Sequence, residues 1–188
     1  MSSQGWVELV RWGSSDGPTL TAAAAASCIP TEAKHTFPAQ YFRVGSALRI
    51  TMHGRISTVI TTPGTARFDV RMGSAGSTIV FDSLAMVLDT AAAYTTLPWK
   101  LVIELTCRAA GSGTSTTFMG LGTWTSQNLA GSGGTAKGAL TALLPWNTAP
   151  AVGGGTDNTA ANVLDVFFTQ TVATGSLTVH QYLVESLN

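Results

Sequence analysis

The feature that most constrains this chain is a strict alternation of apolar and polar residues along much of its length. In residues 48–56 the even positions hold apolar side chains or glycine, and every odd position is polar. In residues 66–72 the polar side chains of Arg67, Asp69 and Arg71 alternate with apolar ones without exception. Successive side chains of a strand point to opposite faces of a sheet. The spacing therefore predicts half-buried β-strands.

The same argument predicts strands along the rest of the chain. They cover residues 77–88, 99–108, 115–125, 139–144, 163–172 and 176–187, and no segment keeps a helical period. Because no shift in composition divides the chain, we expect one domain over residues 1–188. About eight strands with long connections predict an all-β fold, a two-sheet antiparallel sandwich of the jelly-roll type.

Two turns indicate how neighbouring strands meet. Residues 61–65 read Thr-Thr-Pro-Gly-Thr, which is typical of a turn. Keeping the apolar residues on one face requires an odd-length loop that pairs Ile60 with Phe68 and Ile56 with Met72. We therefore predict a hairpin here, and a second pair of strands around residues 173–175. The glycines at 120 and 122 lie between Phe118 and Trp124, where they would allow the two sheets to approach closely.

Composition restricts the possible partners. Charged residues make up only 11% of the chain, and Lys plus Arg and Asp plus Glu number ten each. Such a chain has no basic footprint for nucleic acid, and a nearly neutral surface favours association into an oligomer or lattice. The longest apolar run is the alanine stretch 22–26, so no membrane partner is expected. The first residues lack the pattern of a secretory signal, which predicts synthesis in a cytoplasm.

No pattern in the chain indicates catalysis, a metal or a cofactor. The three histidines, at 35, 53 and 180, do not have metal-ligand spacing, and the acidic residues are scattered singly, so that cross-strand pairs explain Asp69, Glu104 and Asp165. The Gly-rich segment 130–137 lacks the ending of a phosphate-binding loop, and no nucleophile elbow is present. Cys28 and Cys107 are predicted to be buried free thiols.

Three segments together resemble small virion structural proteins of tailed bacteriophages. They are residues 54–65, 161–165 and 180–188. The resemblance implies a capsid decoration, cement or head-fibre-like protein with a jelly-roll-type fold, located in the virion and commonly trimeric around a symmetry axis. Its implied partners are copies of itself, in a homotrimer, and the major capsid protein or other virion proteins. No residue-level site follows from it.

The ends of the chain are the predicted contact elements. Residues 1–18 form either an arm that docks on a neighbour or an ordinary first strand. We predict that the interface includes Trp6, Trp12, Tyr182, Leu183 and Leu187. The alternative function is a receptor- or glycan-binding module of a tail or head fibre, which would use loop aromatics such as Trp146 and Tyr94.

Overall fold

The computed structural model describes residues 7–74, 76–130 and 140–187. These residues form one 3-10 helix, Thr31–Ala33, and twelve strands. The strands are β1 (Val7–Trp12), β2 (Ala25–Ser27), β3 (His35–Phe37), β4 (Ala47–Thr58), β5 (Thr65–Met72), β6 (Thr78–Asp82), β7 (Met86–Val87), β8 (Tyr94–Ala109), β9 (Thr117–Ser126), β10 (Leu140–Leu144), β11 (Asn162–Gln170) and β12 (Ser176–Leu187).

The strands form two antiparallel sheets that pack as a sandwich. Sheet A has the order β1-β12-β4-β8-β9-β10, and sheet B has the order β2-β11-β5-β6, with β3 beside β11 and β7 beside β5. The all-β, two-sheet prediction is confirmed, and the short strands β2, β3 and β7 account for most of the excess over eight. The order places the first strand beside the last, which is compatible with a jelly roll; beyond the sandwich, the jelly roll stays a prediction.

Alternation in the sequence becomes alternation in burial. Along β4 the even-numbered residues are buried and the odd-numbered ones are more exposed. In β5 the inward side chain of Phe68 lies at the centre of the sandwich, with ring centroids 5.5 Å from Trp99 and Trp124 and 5.1 Å from Phe168. These rings come from both sheets, so the core is a single layer of side chains between them.

Neither predicted hairpin forms. β4 lies in sheet A and β5 in sheet B, so the turn at residues 61–64 carries the chain from one sheet to the other. The turn at residues 171–175 does the same between β11 and β12. β4 instead pairs with β12 and β8, which have 12 and 16 residues, whereas β5 has 8. The longer partners satisfy more of the backbone hydrogen bonds of β4.

Gly120 allows the two sheets to approach closely, as predicted. A Cβ atom at this position would lie 2.3 Å from Cδ2 of Phe81, a side chain of sheet B. Gly122 has a different role, because its Cβ would lie 2.5 Å from the carbonyl oxygen of Val102 within sheet A. Cys28 and Cys107 are free and buried, as predicted, and burial raises the pKa of both thiols.

Candidate interaction surface

The outer face of sheet A has apolar ends and a charged centre. Its outward side chains line up across the strands, and one row runs Leu9, Glu185, Arg49, Glu104, Leu121. Arg49 contacts Oε1 of Glu104 at 2.9 Å and Oε2 of Glu185 at 3.8 Å. In this row the three charges lie between an apolar surface on β1 and β12 and another on β8, β9 and β10, and in the adjacent row Thr51 lies between Leu183 and Val102.

The first apolar surface, which we name the edge patch, consists of Val7, Leu9, Trp12, Leu183 and Leu187. Val7, Leu9 and Trp12 are 60%, 48% and 57% exposed. Val7 lies opposite Leu187 and Trp12 lies opposite Leu183, so all five side chains share one face. The structure therefore brings together three of the residues predicted as contacts, Trp12, Leu183 and Leu187. Trp6, a fourth, lies outside the described residues.

The prediction for Tyr182 is wrong. It was predicted to contact a partner, but it is 2% exposed and packs in the core. Consecutive residues of a strand face opposite sides, so Tyr182 and its neighbour Leu183 cannot both reach one surface. Burial is also the main cause that raises the pKa of the Tyr182 hydroxyl.

The second apolar surface is a concave one, which we name the β9–β10 groove. Its volume is about 520 Å³, and it is lined by Val102, Glu104, Leu121, Gly122, Thr123, Leu143 and Leu144. Leu121 and Leu143 are 50% and 74% exposed. Sequence reasoning missed this groove, although a signal was present: if Phe118 and Trp124 point inward, Leu121 must point outward.

The N-terminal segment forms the edge of this sheet. β1 pairs with β12 on one side and is the first strand in the order of sheet A, while β10 is the last. Within the described residues, the position of β1 is that of an ordinary first strand. Its outward side chains are nevertheless exposed as those of a docking arm would be.

The charges on the outer face of sheet B are paired with one another. Arg67 forms two hydrogen bonds with Asp82, at 2.7 and 2.6 Å, which raise the pKa of the Arg67 guanidinium. Arg71 binds Asp69 of its own strand and lies 3.7 Å over the ring of Phe167. The prediction of cross-strand pairs is thus correct for Glu104 but wrong for Asp69. Asp165 of β11 has a cross-strand partner, since the Ser27 hydroxyl of β2 donates to its Oδ1 at 2.7 Å, but its cation is Lys34, which follows the 3-10 helix.

Removing Lys34 should destabilise the fold more than removing an exposed cation. Asp165 is only 6% exposed and its Oδ2 lies 2.6 Å from Nζ of Lys34, so Lys34→Met leaves a buried carboxylate without its cation. We expect a loss of about 2 kcal/mol in the free energy of unfolding, measured with urea. The matched control is Arg49→Met, whose ion pair is exposed and should cost below about 1 kcal/mol. Equal losses would contradict this account.

The outer face of sheet A contains a histidine, His53, two outward rows from Arg49, whose protonation should depend on folding. His53 lies opposite Gln181 and Lys100, and partial burial, then the charge of Lys100, lower its pKa below 6.5. The unfolded chain therefore takes up this proton first as the pH falls, and stability is lost between about pH 6.5 and the lower folded pKa. We expect the urea midpoint of His53→Gln to fall less between pH 7.5 and 5 than that of the wild type. Parallel pH profiles would refute this expectation.

Tyr94 and Trp146, the aromatic residues predicted for glycan binding, contact other residues of the same chain. The Tyr94 hydroxyl donates to Oδ2 of Asp89 at 2.6 Å, and Trp146 is partly buried against the core. Across residues 7–74, 76–130 and 140–187, no group of three or more His, Cys, Asp or Glu side chains is arranged to hold a metal ion. In the same ranges, no helix has the length and apolar character to cross a membrane.

The similarity of this chain to known proteins is weak. No protein-family model matches this chain, and no curated protein sequence matches it. Among solved structures, this chain is similar to the CBM2 module of the evolved Dit of Lactobacillus casei BL23 phage J-1. The match covers 82% of this chain and 68% of that chain. The identity is 10% and the TM-score is 0.30, too low to support an inference about function.

Proposed function

We propose that this protein is a structural subunit of a tailed-bacteriophage virion. It decorates or cements the capsid, as a homotrimer that bridges subunits of the major capsid protein. The phage assignment is supported by the resemblance of residues 54–65, 161–165 and 180–188 to virion structural proteins. The observation that carries the assembly role is the exposed edge patch on the outer face of sheet A.

The edge patch has the physical character of a contact surface. Scattered exposed apolar residues are ordinary on a soluble protein, but a contiguous group of one tryptophan, three leucines and one valine is not. Burying Trp12 alone removes up to roughly 150 Å² of apolar area from water, at about 25 cal/mol per Å². This gain is available only when another protein covers the patch.

The distribution of charge supports binding by apolar contact. In sheet B the outward charges Arg67 and Arg71 are each paired with an aspartate, Lys34 beside this sheet is paired with Asp165, and in sheet A Arg49 is held between two glutamates. The formal net charge of the chain is zero, so long-range electrostatic steering of a partner should be weak. Binding to a capsid should therefore change little between low and high salt.

Capsid binding tests this function. Purified protein should cosediment with capsids that lack it, and Leu9→Ser combined with Trp12→Ser should reduce the bound fraction at least tenfold. Val44→Ser is the control, since Val44 is also exposed, at 69%, but lies outside sheet A. A wild-type protein that stays monomeric at every concentration and does not bind capsids would reject the proposal. Binding on a glycan array would instead favour the receptor-binding function.

A further inference from the structure

We infer that the edge patch of one copy docks into the β9–β10 groove of the next copy, in a head-to-tail contact that closes a ring. This inference rests on the self-association in the proposed function and names the two surfaces that meet. The side chain that enters the groove is Trp12, and the groove side chains that receive it are Leu121 and Leu143.

Two different apolar surfaces on one sheet call for a head-to-tail contact. The edge patch lies on β1 and β12, and the groove lies on β8, β9 and β10, at the opposite end of the same face. A two-fold contact of the edge patch with itself would leave the groove open. A contact between the edge patch of one copy and the groove of another uses both surfaces. Such head-to-tail contacts form a closed ring when the rotation between copies permits it.

The strand directions suit such a ring. Sheet A has six strands, and every neighbouring pair in it is antiparallel. Its two end strands, β1 and β10, therefore run in opposite directions. A rotation axis parallel to the strands preserves these directions, so β1 of one copy meets β10 of the next as an antiparallel neighbour. Strand addition at a sheet edge satisfies backbone groups while it brings side chains of the same face together.

The groove complements Trp12 in shape and in polarity. Its volume of about 520 Å³ is in the range of pockets that hold small ligands, and its lining is largely apolar. A buried indole N–H needs an acceptor. Glu104 lies in the groove and contacts Arg49 through Oε1, so its Oε2 can accept from the indole of the next copy.

The size of the contact makes ring closure important. Trp12 and Leu9, with the two groove leucines, bury a few hundred Å² at most, less than the roughly 800 Å² per partner of a stable interface. One contact should therefore be weak. In a closed ring each copy makes two such contacts, and the second forms at high effective concentration. The ring should be stable where an open dimer dissociates.

Sedimentation velocity on two variants and their mixture tests the inference. Trp12→Ser removes the inserted side chain, and Leu143→Asp places a charge in the groove; both positions are exposed, so the fold should survive, which the thermal unfolding midpoint checks. We expect a ring for the wild type and for Val44→Ser, and monomers for each variant alone. An equimolar mixture should form a dimer, because Trp12 of the Leu143→Asp chain still meets the groove of the Trp12→Ser chain.

The outcomes separate this inference from the proposed function. If Leu143→Asp keeps the wild-type mass, or if the mixture contains no dimer at any concentration, the head-to-tail contact is wrong. A wild-type monomer that binds capsids also overturns the ring and leaves the virion role intact. Rings that respond to the variants as expected, from a protein that does not bind capsids, support the contact and reject the virion role.

Discussion

Replacing Gly54 with alanine is expected to destabilise the fold by about 3 kcal/mol. Gly54 lies at an inward position of β4, opposite Trp99 of β8. A Cβ atom there would lie 2.0 Å from the carbonyl oxygen of Thr178 and 2.7 Å from Cζ2 of Trp99. The first neighbour is backbone of the adjacent strand and cannot rotate away. The methyl group can be accommodated only if β12 and the Trp99 ring both shift.

Urea denaturation of Gly54→Ala and the wild type measures this loss. The control is Gly13→Ala, because the nearest atom to a Cβ at Gly13 is Cβ of Tyr182, at an ordinary contact distance of 3.5 Å. That substitution should change the free energy of unfolding by less than about 0.5 kcal/mol. If the two variants have the same midpoint, the close approach of Trp99 and β12 to Gly54 is wrong.

Gly54 also shows what alternation predicts well. The pattern assigned residue 54 to the inner face together with Ile50, Met52 and Ile56, and the structure places all of them there. An inward glycine leaves a space that another side chain must fill, and at Gly54 the indole of Trp99 fills it. The sequence does not identify the occupant, because the pairing of β4 with β8 joins residues 45 positions apart. Alternation is local, whereas the packing partner depends on topology.

The two failed hairpins have the same cause. The inward residues on both sides of the turn at 61–64 are even-numbered, so Ile56 and Met72 both point into the core. In a hairpin within one sheet, the even-numbered residues of both strands would point into the core. The same holds when the turn crosses to the opposite sheet, because both sheets face the same core. Parity alone therefore cannot separate the two. The lengths of β8 and β12 decide the pairing of β4, and they come from segments far away along the chain.

The candidate interaction surface was predictable only in part. Trp12, Leu183 and Leu187 could be found because large apolar side chains occur near both ends of the chain. Tyr182 could have been rejected from parity, as a neighbour of Leu183. The β9–β10 groove could not be found from one segment, because Val102, Leu121 and Leu143 come from three strands whose register places them side by side.

Truncating Phe68 to alanine is expected to cost about 3–5 kcal/mol, since it leaves a cavity between the two sheets. Phe68 is fully buried, and its ring is the one that contacts Trp99, Trp124 and Phe168. Trp99 and Trp124 belong to sheet A, whereas Phe68 and Phe168 belong to sheet B. The phenyl group therefore joins the sheets, and its neighbours are too large and too closely packed to collapse into the space.

Phe167→Ala is the matched control for this substitution. Phe167 lies on the neighbouring strand but on the outer face of sheet B, where Arg71 covers its ring. Its removal opens no internal cavity, so the loss should be about 1 kcal/mol. Urea denaturation of both variants gives the comparison, with the mass of the assembly as a second readout that should not change. If Phe167→Ala costs as much as Phe68→Ala, the aromatic contact between the sheets does not dominate the stability of this fold.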